Sequence, residues 1–210
     1  MGRRHAVRSE HLRLALAQEA ARVMVEHGIR DFLTAKRKAA ERFRVVDSAA
    51  LPKNTEIEAA LAQYQRLFAP DAHAETLLTQ RRAALRAMRC LADFAPRLVG
   101  PVLTGTATAH SEVQLHVFAD SAEAVMLNLI DRAIPHEVTE RRVKMNAERV
   151  LAYPAVRFTI DDQPIDATVF PADGIRQAPV SPVDGRPMRR ANLGEVQGLL
   201  EDQPRLDSAT

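Results

Sequence analysis

The feature that most constrains this chain is a change of hydrophobic period near residue 96. Before it, apolar residues recur every three or four positions, as a helix buried on one face requires; after it, they alternate or run together, as strands do. Residues 10 to 27 place Leu12, Leu16, Val23 and Met24 on one stripe, and Gly28 is a natural stop. A second helix carries Ile29, Phe32, Leu33, Ala40 and Phe43. The segment "VVDSAALPKN" breaks the pattern, firmly at Pro52. Asn54 or Thr55 then caps a third helix, with Glu58 three residues after Thr55 as a capping box and a stripe of Ile57, Leu61, Tyr64, Leu67 and Phe68. A fourth begins at Pro70 and Asp71, buries Leu77, Ala84, Leu85, Met88, Leu91 and Ala95, and turns Arg82, Arg86 and Arg89 outward.

The second half reads differently. "RLVG" and "EVQLHVF" have strand character, Ser121 caps a helix reaching about Arg132, and "EVTERRVKM" alternates. "AVRFTI" and "IDATVF" flank the turn-forming "DDQP", which predicts a hairpin. From Pro171 the chain is rich in Pro and Gly and reads as an extended loop; Asn192 caps a short last helix to Leu200, and the final ten residues read as frayed. The order predicts an α+β fold: a helical N-terminal region followed by a small mixed β-sheet with packed helices. The boundaries fall at residues 1–83 for the helical region, 84–171 for the α/β core, and 172–210 for the loop, short helix and tail.

Composition narrows the chemistry. Cys90 is the only cysteine, so neither a disulfide framework nor a Cys-based zinc site can form, which fits a reducing compartment. Aromatics make up 4% and Trp is absent, a poor supply for stacking bases. The basic start "MGRRHAVRSEHLRLALAQEA" is interrupted by Gln18 and Glu19 and reads as a surface helix rather than a leader. Apolar runs such as "AVMLNLI" are too short to span a bilayer, so the expectation is a cytoplasmic protein with no membrane partner. Residues 1–100 hold 18 Lys+Arg against 11 Asp+Glu (+7), and residues 101–210 hold 11 against 16 (−5), which sum to the net +2. Such asymmetry suggests two regions with different tasks.

The stretch "GPVLTGTATAHSEVQL", Gly100 to Leu115, carries the most specific chemistry. Backbone N–H groups approach phosphate closely only where side chains are small, as at Gly100, Gly105 and Ala107; Thr104, Thr106 and Ser111 add hydroxyl donors. A nucleoside triphosphate also needs a divalent metal, hence carboxylates two residues apart on one strand face. Glu112 and Gln114 have that spacing, and Asp166 on a partner strand supplies a further acid.

These residues resemble the polymerase-β-like nucleotidyltransferase superfamily, its small minimal members especially. Gly100 and Gly105 match the family's two glycines, "SEVQL" (Ser111 to Leu115) falls on its Ser-Asp-hydrophobic-Asp-Leu element, and Asp166 in "IDATVF" stands where a later strand carries one acid. The resemblance covers roughly residues 84 to 171. It implies binding of a nucleoside triphosphate with magnesium and transfer of the nucleoside monophosphate to a protein or nucleic-acid acceptor, with release of pyrophosphate. Glu112 would be the first metal ligand and Gln114 would replace the second; Asp166, the third acid, would help activate the acceptor hydroxyl. Gly100, Thr104, Gly105, Thr106 and Ser111 would cradle the nucleotide. The departures from the motif point to weak magnesium binding and weak or lost transfer. Pro101 replaces the motif serine and lacks an N–H, Glu112 is one methylene longer than Asp, and Gln114 has no charge. His110 or His116 could substitute as a ligand, though each reads as a surface histidine. Arg141 or Arg142 could contact phosphates or pair with the carboxylates.

Two other functions fit the same chain. One is a non-catalytic protein-interaction module in which the helices of residues 10–95 dock a partner. The other is a nucleic-acid-binding regulator using the basic N-terminal half, where Lys36, Arg37 and Lys38 cluster, although no second short recognition helix follows them cleanly.

Overall fold

The computed structural model describes residues 2–201 as an α+β protein with seven α-helices and one five-stranded mixed sheet. The chain divides into two compact units. The first comprises the chain up to Leu77 together with Gly105–Ser111 and Pro182–Gly185; the second comprises Leu78–Thr104, Glu112–Ser181 and the chain from Arg186 onward. The tail beyond Glu201 lies outside the described residues.

The first unit is helical. Helix α1 spans Gly2–Glu26, α2 spans Phe32–Phe43 and α3 spans Asn54–Phe68. They share a core of Leu16, Ala17, Ala20, Ala21, Met24, Ala35, Ala39, Ile57, Ala60 and Leu61. Six alanines in that core let helix backbones approach closely while apolar surface is still removed from water. Asp31 caps α2, its carboxylate accepting the Thr34 N–H at 2.7 Å. The cap of α3 sits one to two residues earlier than Asn54/Thr55: Lys53 is the N-cap, and its N–H donates to Glu56 at 2.7 Å, so Glu56 rather than Glu58 closes the turn. After α2 the chain makes only a 3₁₀ turn at Ser48–Ala50, and no recognition-type helix follows Lys36–Lys38 before α3. Helix α4, Pro70–Cys90, begins in this unit and continues into the second; Arg82, Arg86 and Arg89 are exposed on it, as its stripe requires.

The second unit holds the sheet. Its strands are β1 (Arg97–Val99), β2 (Val113–Phe118), β3 (His136–Lys144), β4 (Val150–Ile160) and β5 (Gln163–Phe170), in the spatial order β1-β2-β5-β4-β3. Only β2 and β5 run parallel; the other neighbours are antiparallel. Helix α6, Ala122–Asp131, follows β2 and buries Val125 and Leu129. The predicted hairpin is β4–β5, turning at Asp161 and Asp162 with φ 50° and 60°. Asn192 and Glu195 form a reciprocal capping box on α7, Leu193–Glu201, at 3.0 and 2.6 Å.

Strand alternation gives the sheet two unlike faces. One carries Leu98, Leu115, Val117, Val156, Phe158, Ile165, Ala167 and Val169, all buried, and is the core face. The other carries Gln114 and His116 on β2, Asp166 and Thr168 on β5, Arg157 on β4 and Arg141 on β3, giving way to Phe118, Phe170 and Tyr153 at one end.

Candidate functional site

The glycine-bearing stretch is not one continuous loop. Gly100–Thr104 forms a single helical turn, α5, directly after β1. Pro101 stands at its first turn, where a missing N–H costs nothing. Gly100 adopts φ +70°, a left-handed conformation that favours glycine, and a Cβ there would lie 2.6 Å from Gln114 Oε1, so any larger residue would also push that side chain aside. Of the residues proposed to cradle a nucleotide, Gly100 and Thr104 belong to the second unit, while Gly105, Thr106 and Ser111 belong to the first. There the Gly105 carbonyl meets the His73 ring nitrogen at 3.1 Å. Gln65 donates to the Ala107 carbonyl at 2.8 Å, and Ser111 Oγ accepts the Thr108 N–H at 2.9 Å. These polar groups therefore tie residues 105–111 into the helical unit. Glu58, at the Thr106 hydroxyl, is half-buried, and desolvation raises its pKa above the ordinary carboxylate value.

In the sheet, the register pairs Gln114 with Asp166 and Asp166 with Arg157, so these three side chains share the polar face. The paired register starts at Val113, one residue beyond Glu112, which remains half-exposed ahead of the strand. The structure thus brings together the second and third of the three predicted oxygen-bearing residues and leaves the first outside the ladder.

Asp166 is 2% exposed, and its Oδ2 accepts from Arg141 Nη2 and, at 3.5 Å, from Arg157 Nε. Its Oδ1 is buried without a hydrogen-bond partner. These residues do not fit a two-ion magnesium centre. One carboxylate oxygen is committed to guanidinium groups, the other is shut from solvent, and the neighbour that should supply a second charge is a neutral amide. Among the described residues no group of three or more His, Cys, Asp or Glu comes together to hold a metal ion.

His116 corrects the expectation of a surface histidine, being 5% exposed. Burial, with the Arg190 and Arg141 charges nearby, pushes its pKa down to about 3, so the ring is neutral. Its Nδ1 accepts from Arg190 Nε at 3.1 Å, which puts the ring proton on Nε2. Arg190 in turn donates to the Gly174 and Ile175 carbonyls and lies 5.0 Å over the Phe118 ring. Burial and the Arg97 charge lower its own pKa to about 10. Sequence reasoning missed Arg157 and Arg190 at this face. Alternation along "AVRFTI" was the available signal for Arg157, whereas Arg190 arrives from a loop with no periodic signal.

Compared with known protein families, curated proteins and solved structures, the chain matches none. No helix among the described residues is long and apolar enough to cross a membrane.

Proposed function

We propose that this chain is a nucleotidyltransferase-like nucleotide-binding protein whose nucleoside monophosphate transfer is weak or lost. The observation that carries this reading is the registered pair Gln114–Asp166 on parallel strands directly after the Gly100 turn. It supports the reading because the second and third motif positions lie side by side, with their side chains on the face away from the apolar core. The substitutions that set the chain apart from the motif bear on catalysis rather than on binding. Two-metal chemistry needs several kcal/mol of charge stabilisation, which a neutral Gln114 and an arginine-paired Asp166 supply poorly. Magnesium enters this reading only as a weak companion of the triphosphate, and the acceptor, protein or nucleic acid, belongs to the residual activity.

The test is a thermal-shift screen of ATP, CTP, GTP and UTP with and without magnesium. Stabilisation by at least one triphosphate, with little or no pyrophosphate release, is the expected result. No shift with any of the four favours the interaction module over nucleotide binding.

A further inference from the structure

Four arginines converge near one sheet face: Arg141 and Arg157 on Asp166, Arg190 on His116, and Arg97, which pairs in register with His116. Three of them come from residues 101–210, where acidic residues outnumber basic ones 16 to 11, so composition does not explain their clustering. Burial is divided unequally within the central cluster. The Asp166 side chain is 2% exposed, while those of Arg141 and Arg157 keep 37% and 46% of their surface in water. One carboxylate and two guanidinium groups leave one formal positive charge in excess at this cluster. Each guanidinium has five N–H donors in a planar fork, and Asp166 Oδ2 takes one from each. The remaining donors are those that match a phosphate oxygen geometry.

We propose that, given the nucleotide-binding reading above, Arg141 and Arg157 hold the polyphosphate directly and Asp166 is the positioning residue that presents them, so that two guanidinium groups stand in for metal ions. The same carboxylate that would ligate a metal in a metal-dependent site here fixes two organic cations. Their positive charge is permanent, and binding does not wait for a divalent ion. The neighbouring Arg142 falls on the opposite face by strand alternation and takes no part.

Isothermal titration of the full chain with ATP and with inorganic tripolyphosphate, each in EDTA and in magnesium, tests the proposal. Both ligands should bind in EDTA at least as tightly as in magnesium. Arg141→Gln and Arg157→Gln should each weaken binding about tenfold, the loss expected for one charge-assisted contact of about 1.4 kcal/mol, while Arg142→Gln leaves it unchanged. Asp166→Asn separates positioning from simple charge. Removing an anion should by itself tighten polyphosphate binding, and a merely structural role would lower stability without changing the affinity of the folded protein. A positioning role weakens binding severalfold. Should Asp166→Asn fail to fold, the two arginine variants, altered only at partly exposed side chains, decide the matter.

Nucleotide binding that requires magnesium and ignores both arginines overturns the arginine proposal and leaves the nucleotide reading intact. Arginine-dependent binding of tripolyphosphate with no gain from the nucleoside supports the arginines and removes the nucleotide reading. Binding of neither ligand overturns both.

Discussion

Gln114 and Asp166 stand directly opposite each other on parallel strands and bring one negative charge to a place where two would be needed to hold magnesium. Neighbouring strands lie about 4.8 Å apart, a separation that two carboxylates and a bridging cation accommodate. Gln114→Asp should therefore raise magnesium affinity above that of the parent protein, read by calorimetry. Unchanged affinity would mean that these two positions do not correspond to a metal-binding pair. The same substitution should weaken tripolyphosphate binding in EDTA, because a second anion competes for Arg141 and Arg157.

Gly100 and Gln114 form a second coupled pair. Gly100→Ala incurs two costs: a left-handed backbone at φ +70° and a Cβ pressed to 2.6 Å from Gln114 Oε1. The first alone costs about 1–2 kcal/mol for a residue with a Cβ. Total destabilisation should exceed it, and Gln114→Ala in the same chain should recover the steric share but not the backbone share. Urea unfolding of the two single variants and the double variant measures the coupling. Strict additivity would show that the close approach carries no energy.

How legible these features were depended on the range of the interactions. The β4–β5 hairpin was readable because "DDQP" encodes its own turn, and the α7 cap because Asn192 sits directly before the helix whose Glu195 N–H it accepts. The arginines on Asp166 were not. They lie 25 and 9 residues away along the chain and reach it only through the order β5-β4-β3 and its register. His116 was misjudged because its neighbours come from far along the chain: Arg190, 74 residues on, donates to its Nδ1, and the Phe170 ring packs 4.7 Å from its own. Pro101 reads as a lost phosphate donor when matched to a motif. In the fold it starts the α5 turn, where Pro is favoured.

The turn at Asp161–Asp162 gives a prediction of opposite sign. Both residues are left-handed, a conformation natural to glycine at the second central position of a tight hairpin. Asp161 also pairs with Arg86 at 2.5 Å and is left in place. Asp162→Gly should stabilise the protein by about 0.5–1 kcal/mol, a gain of about 1–4 °C in Tm for a chain of this size. A lowered Tm would mean that the Asp162 side chain makes a compensating contact.

His116 should make stability depend on pH in mild acid. Its ordinary pKa of 6.5 falls to about 3 in the folded protein, because the ring is buried and faces Arg190 and Arg141. Between those two values the unfolded chain binds a proton that the folded chain refuses. The contribution of the neutral ring is therefore fully present above 6.5 and is lost as pH falls toward 3. The slope from this one group approaches about 1.4 kcal/mol per pH unit, but carboxylates titrate in the lower part of the window and blur it. The clean interval runs from about pH 6.5 to about pH 5, where histidine titrates and most carboxylates do not. His116→Gln keeps an acceptor for the Arg190 Nε–H and removes the titrating ring. Urea midpoints of parent and variant should converge as pH falls through that interval, the parent losing stability faster. Parallel curves would show that His116 titrates normally in the folded protein, and with it that burial does not hold the ring neutral.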